Sequence, residues 1–252
     1  MRHFILCFTF IFSFLSNTTA AVFQEEVKYY DVEILLFENL KSNQNNNETW
    51  PTSIEFKVPE NSLFIGSPYP GPIPSQYNPR FTFKPIKSST YQLQDEAKSL
   101  TKHEDYRIIY HRSWRQPGMS KSDAISVQIE KNIPRLPYVS VVNQEDLEDT
   151  SNYDRIINQR LPKMNNLKGL INIRLSRYLH IETDLQYTQH IILKNKEESD
   201  PSFDEIKPQV YQLKQKRKMR SKELHYLDNP KLGLLVYITP VKTTPKPNQN
   251  KN

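Results

Sequence analysis

Cysteine, glycine and the common catalytic motifs are scarce in this sequence, and each shortage excludes a class of protein. The single cysteine, Cys7, lies in an apolar N-terminal segment, so the rest of the chain has no disulfide and no thiolate nucleophile. The five glycines form no phosphate-binding loop, and neither GxSxG nor HExxH occurs. A pair of carboxylates could hydrolyse a glycan, but no spacing in the sequence specifies such a pair. We therefore predict a protein that is not an enzyme and needs no cofactor.

Long apolar runs are also absent, except at the N-terminus. There Arg2 precedes a nearly all-apolar stretch from Phe4 to Leu15, and small residues follow it up to Ala20. This order is typical of a secretory signal peptide. We predict that residues 1–20 are a signal peptide, cleaved after about Ala20, and that the mature protein has no transmembrane segment.

The net charge of the chain is moderately positive. It is +6, and loss of Arg2 with the signal peptide leaves 6 − 1 = +5. A mildly basic protein outside the cytosol meets wall carboxylates, anionic lipid headgroups and acidic proteins rather than nucleic acid. We therefore expect an anionic partner and no nucleic acid.

Residues 168–187 show the clearest pattern in the chain. Apolar side chains recur at every second position, among them Ile171, Ile173, Ile181 and Leu185. Period two predicts a strand with one buried face. Since one strand of this length would span roughly 65 Å, we expect a bulge or sharp bend near residues 176–178.

The remaining chain predicts one α+β domain over residues 21–241, mainly antiparallel sheet with one or two helices; an all-β fold is the alternative. A proline-rich surface connector is expected at residues 58–85, an acidic loop at 144–154 and a disordered tail at 242–252. The acidic loop matches no calcium-binding motif. Strands are expected at 28–38, 106–114, 124–130, 138–142, 210–225 and 232–238, the last two as a hairpin, and a helix at 92–103.

The predicted strand 210–225 has a row of cations at alternate positions. In a strand they line one face, where like charges repel unless water or an anion surrounds them. Protection of an edge strand and binding of a polyanion explain this row equally well. The row consists of Lys214, Lys216, Lys218, Arg220 and Lys222, and the opposite face holds Arg217 and His225. We predict ligand-binding residues among Lys216, Lys218, Arg220, Arg217 and His225.

Two further groups are candidate ligand-binding residues. Trp114 and Arg115 could stack on a sugar ring and grip a carboxylate, although a tryptophan at the end of a strand is also a common core residue. Arg174, Arg177, Tyr178 and His180 lie around the expected bend. His111, His180 and His225 lack the close spacing of metal ligands, so no metal site is predicted.

Four blocks of sequence, in this order behind a signal peptide, resemble the CsiV family of gammaproteobacterial proteins. They are YYDVEILLFE, YRIIYHRSWRQP, LKGLINIRLSRYLHIETDL and RKMRSKELHYLDNPKLGLLVYITP. The resemblance covers roughly residues 29–240 and is weakest between residues 42 and 85. It implies a periplasmic peptidoglycan-binding protein that supports wall synthesis by a class A penicillin-binding protein. It supplies no ligand-binding residues.

Two other functions stay open at this point. One is an accessory factor for outer-membrane assembly, whose exposed strand edges accept a client strand. The other is a wall-glycan hydrolase, which would need a carboxylate in a cleft.

Overall fold

The computed structural model of this chain describes residues 27–43, 49–139, 147–195, 197 and 200–242. The expected signal peptide (1–20) and the tail beyond residue 242 lie outside this part of the chain. The described residues form ten strands and two α-helices. The strands are β1 (Tyr29–Asn39), β2 (Ser62–Phe64), β3 (Lys84–Pro85), β4 (Tyr106–Pro117), β5 (Ser126–Pro134), β6 (Met164–Leu175), β7 (Leu179–Leu193), β8 (Glu205–Met219), β9 (Leu224–Asp228) and β10 (Leu232–Val241); the helices are α1 (Gln94–Lys102) and α2 (Leu147–Arg160).

The strands form two five-stranded sheets that share a core. The first sheet has the order β3-β4-β1-β10-β9 and the second β2-β5-β6-β7-β8. All neighbours pair antiparallel except β2 with β5. The α+β prediction, with mainly antiparallel sheet and two helices, is confirmed.

Strand β1 is central, as its apolar residues on both faces predict. Val32, Ile34 and Leu36 belong to the core between the two sheets. On the opposite face, Leu35 and Phe37 pack against α1. A strand covered on both faces loses its alternating pattern, which explains the run EILLF in this strand.

The stretch 168–187 is a hairpin rather than one bent strand. Ser176–Tyr178 is a three-residue loop between β6 and β7, and Leu175 lies opposite Leu179. Directly opposite residues share a face in an antiparallel pair, so the period-two pattern continues unbroken through the reversal. The predicted buried face is confirmed, because Ile171, Ile173, Leu179, Ile181 and Leu185 are all buried.

The expected long strand at residues 210–225 is two strands in different sheets. Strand β8 ends at Met219 and pairs with β7, whereas β9 pairs with β10. Between them Lys222 has a φ of 64°, a left-handed conformation that interrupts a strand. The predicted hairpin is therefore wrong for β8 and holds only for the short β9.

The expected acidic loop is largely helix α2. Tyr153, Ile157 and Leu161 recur every four residues, and Ile157 and Leu161 are buried. The helical spacing of these residues outweighs the local density of carboxylates. The strand expected at 138–142 is not formed at residues 138 and 139, and residues 140–146 lie outside the described chain.

The proline-rich segment at residues 58–85 contributes to the core as well as connecting strands. Its short strands β2 and β3 lie at the ends of the two sheets, as expected for a segment that cannot run through a sheet centre. Yet Leu63, Tyr77 and Phe83 belong to the buried core. The segment therefore covers part of the core as well as running over the surface.

We predict that Gly169→Ala destabilises the fold by about 1–3 kcal/mol, because the added methyl group has no room. A Cβ at Gly169 would lie 2.6 Å from the carbonyl oxygen of Asp184 and 2.7 Å from Cα of Leu185, both backbone atoms of β7. Urea unfolding followed by circular dichroism measures the change. Met164→Ala, at a half-exposed position of the same strand, is the control, with an expected change below about 0.5 kcal/mol.

Candidate functional site

The loop of the β6–β7 hairpin and the adjacent ends of β7 and β8 form a cationic and aromatic patch, which we call the hairpin-tip patch: Arg177, Tyr178, His180 and Lys218. Nζ of Lys218 lies 3.5 Å from the centre of the Tyr178 ring, and the guanidinium of Arg177 lies 5.7 Å from it. His180 pairs with Lys218 across β7 and β8 and contacts the Ser176 hydroxyl at 3.2 Å. Within the described chain, neither Arg177 nor Lys218 has a carboxylate partner.

The other strand cations near this patch are neutralised by β7. Lys214 pairs with Asp184 at 3.0 Å and Lys216 with Glu182 at 2.9 Å. Arg174 contacts the same Glu182 at 2.8 Å. Burial alone would raise the pKa of Glu182, but the hydrogen bonds from Lys216 and Arg174 outweigh burial and lower that pKa. Lys216 and Arg174 are therefore engaged in the sheet itself.

Part of the predicted cation row leaves the strand. Arg220 and Lys222 follow the end of β8, and the guanidinium of Arg220 lies 3.7 Å from the carboxylate of Glu223. His225 contacts the backbone oxygen of Arg220 at 3.1 Å. Arg217 donates to the carbonyl of Tyr226. The prediction of one continuous row is wrong, but β8 is an edge strand, as the edge-protection hypothesis requires.

Trp114 and Arg115 lie in the first sheet. Trp114 is fully buried, and its Nε1 donates to the side-chain oxygen of Gln116 at 2.8 Å. Arg115 donates two hydrogen bonds, of 2.6 and 2.8 Å, to Asp31. Since Trp114 has no exposed surface, the structure supports the core interpretation of this residue and not the sugar-stacking one.

The three strand histidines do not converge. His111 contacts Glu33 at 2.8 Å in the first sheet, whereas His180 and His225 lie near the ends of β7 and β9. In the part of the chain that the structure describes, no three His, Cys, Asp or Glu side chains are grouped as metal ligands would be.

A buried ionic network at the end of β1 was missed from the sequence. The carboxylate of Glu38 is 1% exposed and contacts Arg107 at 2.6 Å and Lys231 at 3.1 Å. The Tyr187 hydroxyl at 3.1 Å and Gln189 Nε2 at 2.6 Å donate to the same carboxylate. A signal was present: residue 38 has the same parity as the core-facing Val32, Ile34 and Leu36, where a charge is costly.

Burial shifts the ionisation of this network. It lowers the pKa of Lys231, although Glu38 opposes that shift. Burial, together with the nearby Glu38 charge, raises the pKa of Tyr187 to about 12. One carboxylate thus pairs with the buried Lys231 and the partly buried Arg107. All three residues help to line a cavity of about 430 Å³.

The fold and the surface together define a two-sheet α+β protein with two basic features. One is the hairpin-tip patch and the other is the cavity lined in part by Arg107 and Lys231. Both features suit anionic ligands. The chain belongs to the CsiV family, described as a peptidoglycan-binding protein, whose family model matches residues 4–241. A search of curated proteins and a search of solved structures each found no match. No helix among the described residues has the length and apolar character needed to cross a bilayer.

We predict that Glu38→Gln lowers the free energy of unfolding by about 3–5 kcal/mol, because it leaves the buried Lys231 and the partly buried Arg107 without their counter-charge. Urea titration at neutral pH measures the loss. The matched control is Glu205→Gln, which breaks only the exposed pair with Lys207 and should cost about 0–1 kcal/mol. Equal stability of the two variants would contradict a structural role for the buried carboxylate.

Proposed function

We propose that this protein binds peptidoglycan in the periplasm without catalysing a reaction and supports wall synthesis by a class A penicillin-binding protein. Membership of the CsiV family supports peptidoglycan as the ligand. The choice of site rests on the hairpin-tip patch, where Arg177 and Lys218 both lie near the Tyr178 ring and have no carboxylate partner in the described chain.

The chemistry of the patch suits this polymer. Stem peptides of peptidoglycan carry free carboxylates, which arginine and lysine bind through charge-assisted hydrogen bonds. The sugar rings have apolar faces that pack on aromatic side chains, and Tyr178 supplies such a ring. Because the patch is exposed, each ionic contact contributes little, and salt weakens it. Binding through this patch should therefore be modest in affinity and sensitive to salt.

Support for a protein partner comes from the far edge of the first sheet. Strand β9 is terminal in that sheet, and Leu224 and Tyr226 on it are exposed. An edge strand with exposed apolar side chains suits contact with another protein. Leu224 and Tyr226 are not residues of the hairpin-tip patch, but β8 reaches this edge, where Arg217 donates to the carbonyl of Tyr226 and His225 contacts the backbone oxygen of Arg220. Each variant is therefore assayed for both wall binding and partner contact.

We predict that changing Arg177, Lys218 and Arg220 together to glutamate abolishes co-sedimentation with isolated sacculi at low salt, because attraction becomes repulsion. Lys216 stays unchanged, since glutamate there would face Glu182 directly across the strands. The control carries the same charge change at the exposed Lys84, Lys87 and Lys121 and should bind like the wild type. Normal sedimentation of a folded triple variant would refute the site, and altered muropeptides after incubation would refute the absence of catalysis.

We predict that the protein raises the rate of glycan-chain synthesis by a purified class A penicillin-binding protein and that Leu224→Arg removes this stimulation. The arginine places a charge on the exposed apolar edge of β9 and leaves the hairpin-tip patch intact. A fluorescent lipid II polymerisation assay measures the rate, and sacculus co-sedimentation of the same variant shows that wall binding persists. No stimulation by the wild-type protein would contradict the partner assignment.

A further inference from the structure

The cavity at the end of β1 has an excess of positive charge. Its lining includes four basic side chains against the single carboxylate of Glu38; they are Arg107, Arg135, Lys194 and Lys231. Glu38 is already shared by Arg107 and Lys231. An anion entering the cavity would therefore meet more positive charge than the carboxylates of the described residues neutralise.

Arg135 illustrates this excess. Its guanidinium donates to the carbonyl oxygens of Pro162 and Leu136 and to the side-chain oxygen of Asn158, at 3.2, 2.6 and 2.8 Å. All three acceptors are neutral. Lys194 likewise contacts the ring of Tyr153 at 4.8 Å rather than a carboxylate of the described chain. Both charges remain available to a ligand on the cavity side.

Asn165, a residue of the cavity lining, has a buried acceptor without a donor in the described part of the chain. Asn165 is 3% exposed, and its Oδ1 has no hydrogen-bond partner among the described residues. Nδ2 of this amide donates to the Tyr187 hydroxyl at 3.0 Å, and that hydroxyl donates to Glu38. A buried acceptor without a donor destabilises the fold, so Oδ1 is suited to an N–H group of a ligand.

A second unpaired atom and an apolar wall complete the site. Nδ1 of His190 is also buried without a partner in the described chain and lies on the same lining. Leu136, Val139, Ile191 and Ile192 supply apolar surface, and Val139 is 71% exposed. The cavity thus combines cations, an N–H acceptor and room for a small aliphatic side chain.

We propose that this cavity binds the free carboxyl terminus of a peptide, and, resting on the proposed function, that the peptide is a stem peptide of peptidoglycan. The last residue of a peptide presents a carboxylate, an adjacent amide N–H and one side chain. The carboxylate matches the basic residues, the N–H matches Asn165 Oδ1, and a small aliphatic side chain matches the apolar wall. A glycan chain without peptide offers no such combination.

The test is titration calorimetry of the full mature protein with a soluble muropeptide that has a free stem-peptide carboxyl terminus, and with the same muropeptide converted to its C-terminal amide. The free acid should bind at least about tenfold more tightly than the amide, since the amide loses the charge-assisted bonds. Methylation of the last amide nitrogen should weaken binding similarly by removing the N–H. Equal affinity of acid and amide would overturn the proposal.

Two double variants test whether the free-acid muropeptide binds in the cavity. Val139→Glu with Lys194→Gln makes the cavity more negative by two charges and should weaken binding of the free acid at least about tenfold. Val58→Glu with Lys57→Gln makes the same charge change at exposed positions outside the cavity lining and should leave the affinity unchanged. Equal weakening by both pairs would overturn the location, and matching thermal unfolding curves establish that both are folded.

Sacculus co-sedimentation separates this proposal from the proposed function. If the wild-type protein binds sacculi but not the free-acid muropeptide, the cavity proposal fails and the proposed function stands. If the wild-type protein binds neither, the proposed function fails and the cavity proposal fails with it.

Discussion

The buried carboxylate of Glu38 is the interaction on which one end of this fold depends. It lies at the end of β1, between Arg107 of β4 and Lys231, the residue before β10, so it ties the three central strands of the first sheet together. Tyr187 and Gln189 of β7 donate to the same group and join the second sheet to it. A buried charge is tolerated only where such partners surround it, so these four side chains constrain one another.

At the other end of the shared core, the side-chain amide of Gln116 also joins the two sheets. Gln116 accepts a hydrogen bond from Trp114 and donates to the carbonyl oxygen of Ile173 at 3.1 Å, which again joins the first sheet to the second. Trp114 therefore has two structural roles: it packs in the core, and it donates the hydrogen bond that orients Gln116. Because the core is closed here by Trp114 and Gln116, the hairpin loop beyond Leu175 is free to carry charged and aromatic residues.

The apolar faces of β6 and β7 could be predicted from the sequence, but their reversal could not. Leu175 and Leu179 lie opposite each other, so alternation alone cannot distinguish a hairpin from a single strand. The cations of β8 were identified individually, yet their neutralisation depends on strand register, which sets Lys216 opposite Glu182. Glu38 was predictable in principle, as a charge on the core-facing parity of β1, whereas its partners come from residues 69 to 193 positions away.

Strand β7 connects the two basic features and sets the distance between them. His180 lies at the hairpin-tip patch and His190 in the cavity, ten positions along the same strand, or on the order of 30 Å. A polymer that carries many carboxylates can engage both at once, and the second contact is then intramolecular. Two weak sites so linked hold a polymer more firmly than either alone, while each single contact still exchanges rapidly. That combination suits the peptidoglycan ligand of the proposed function.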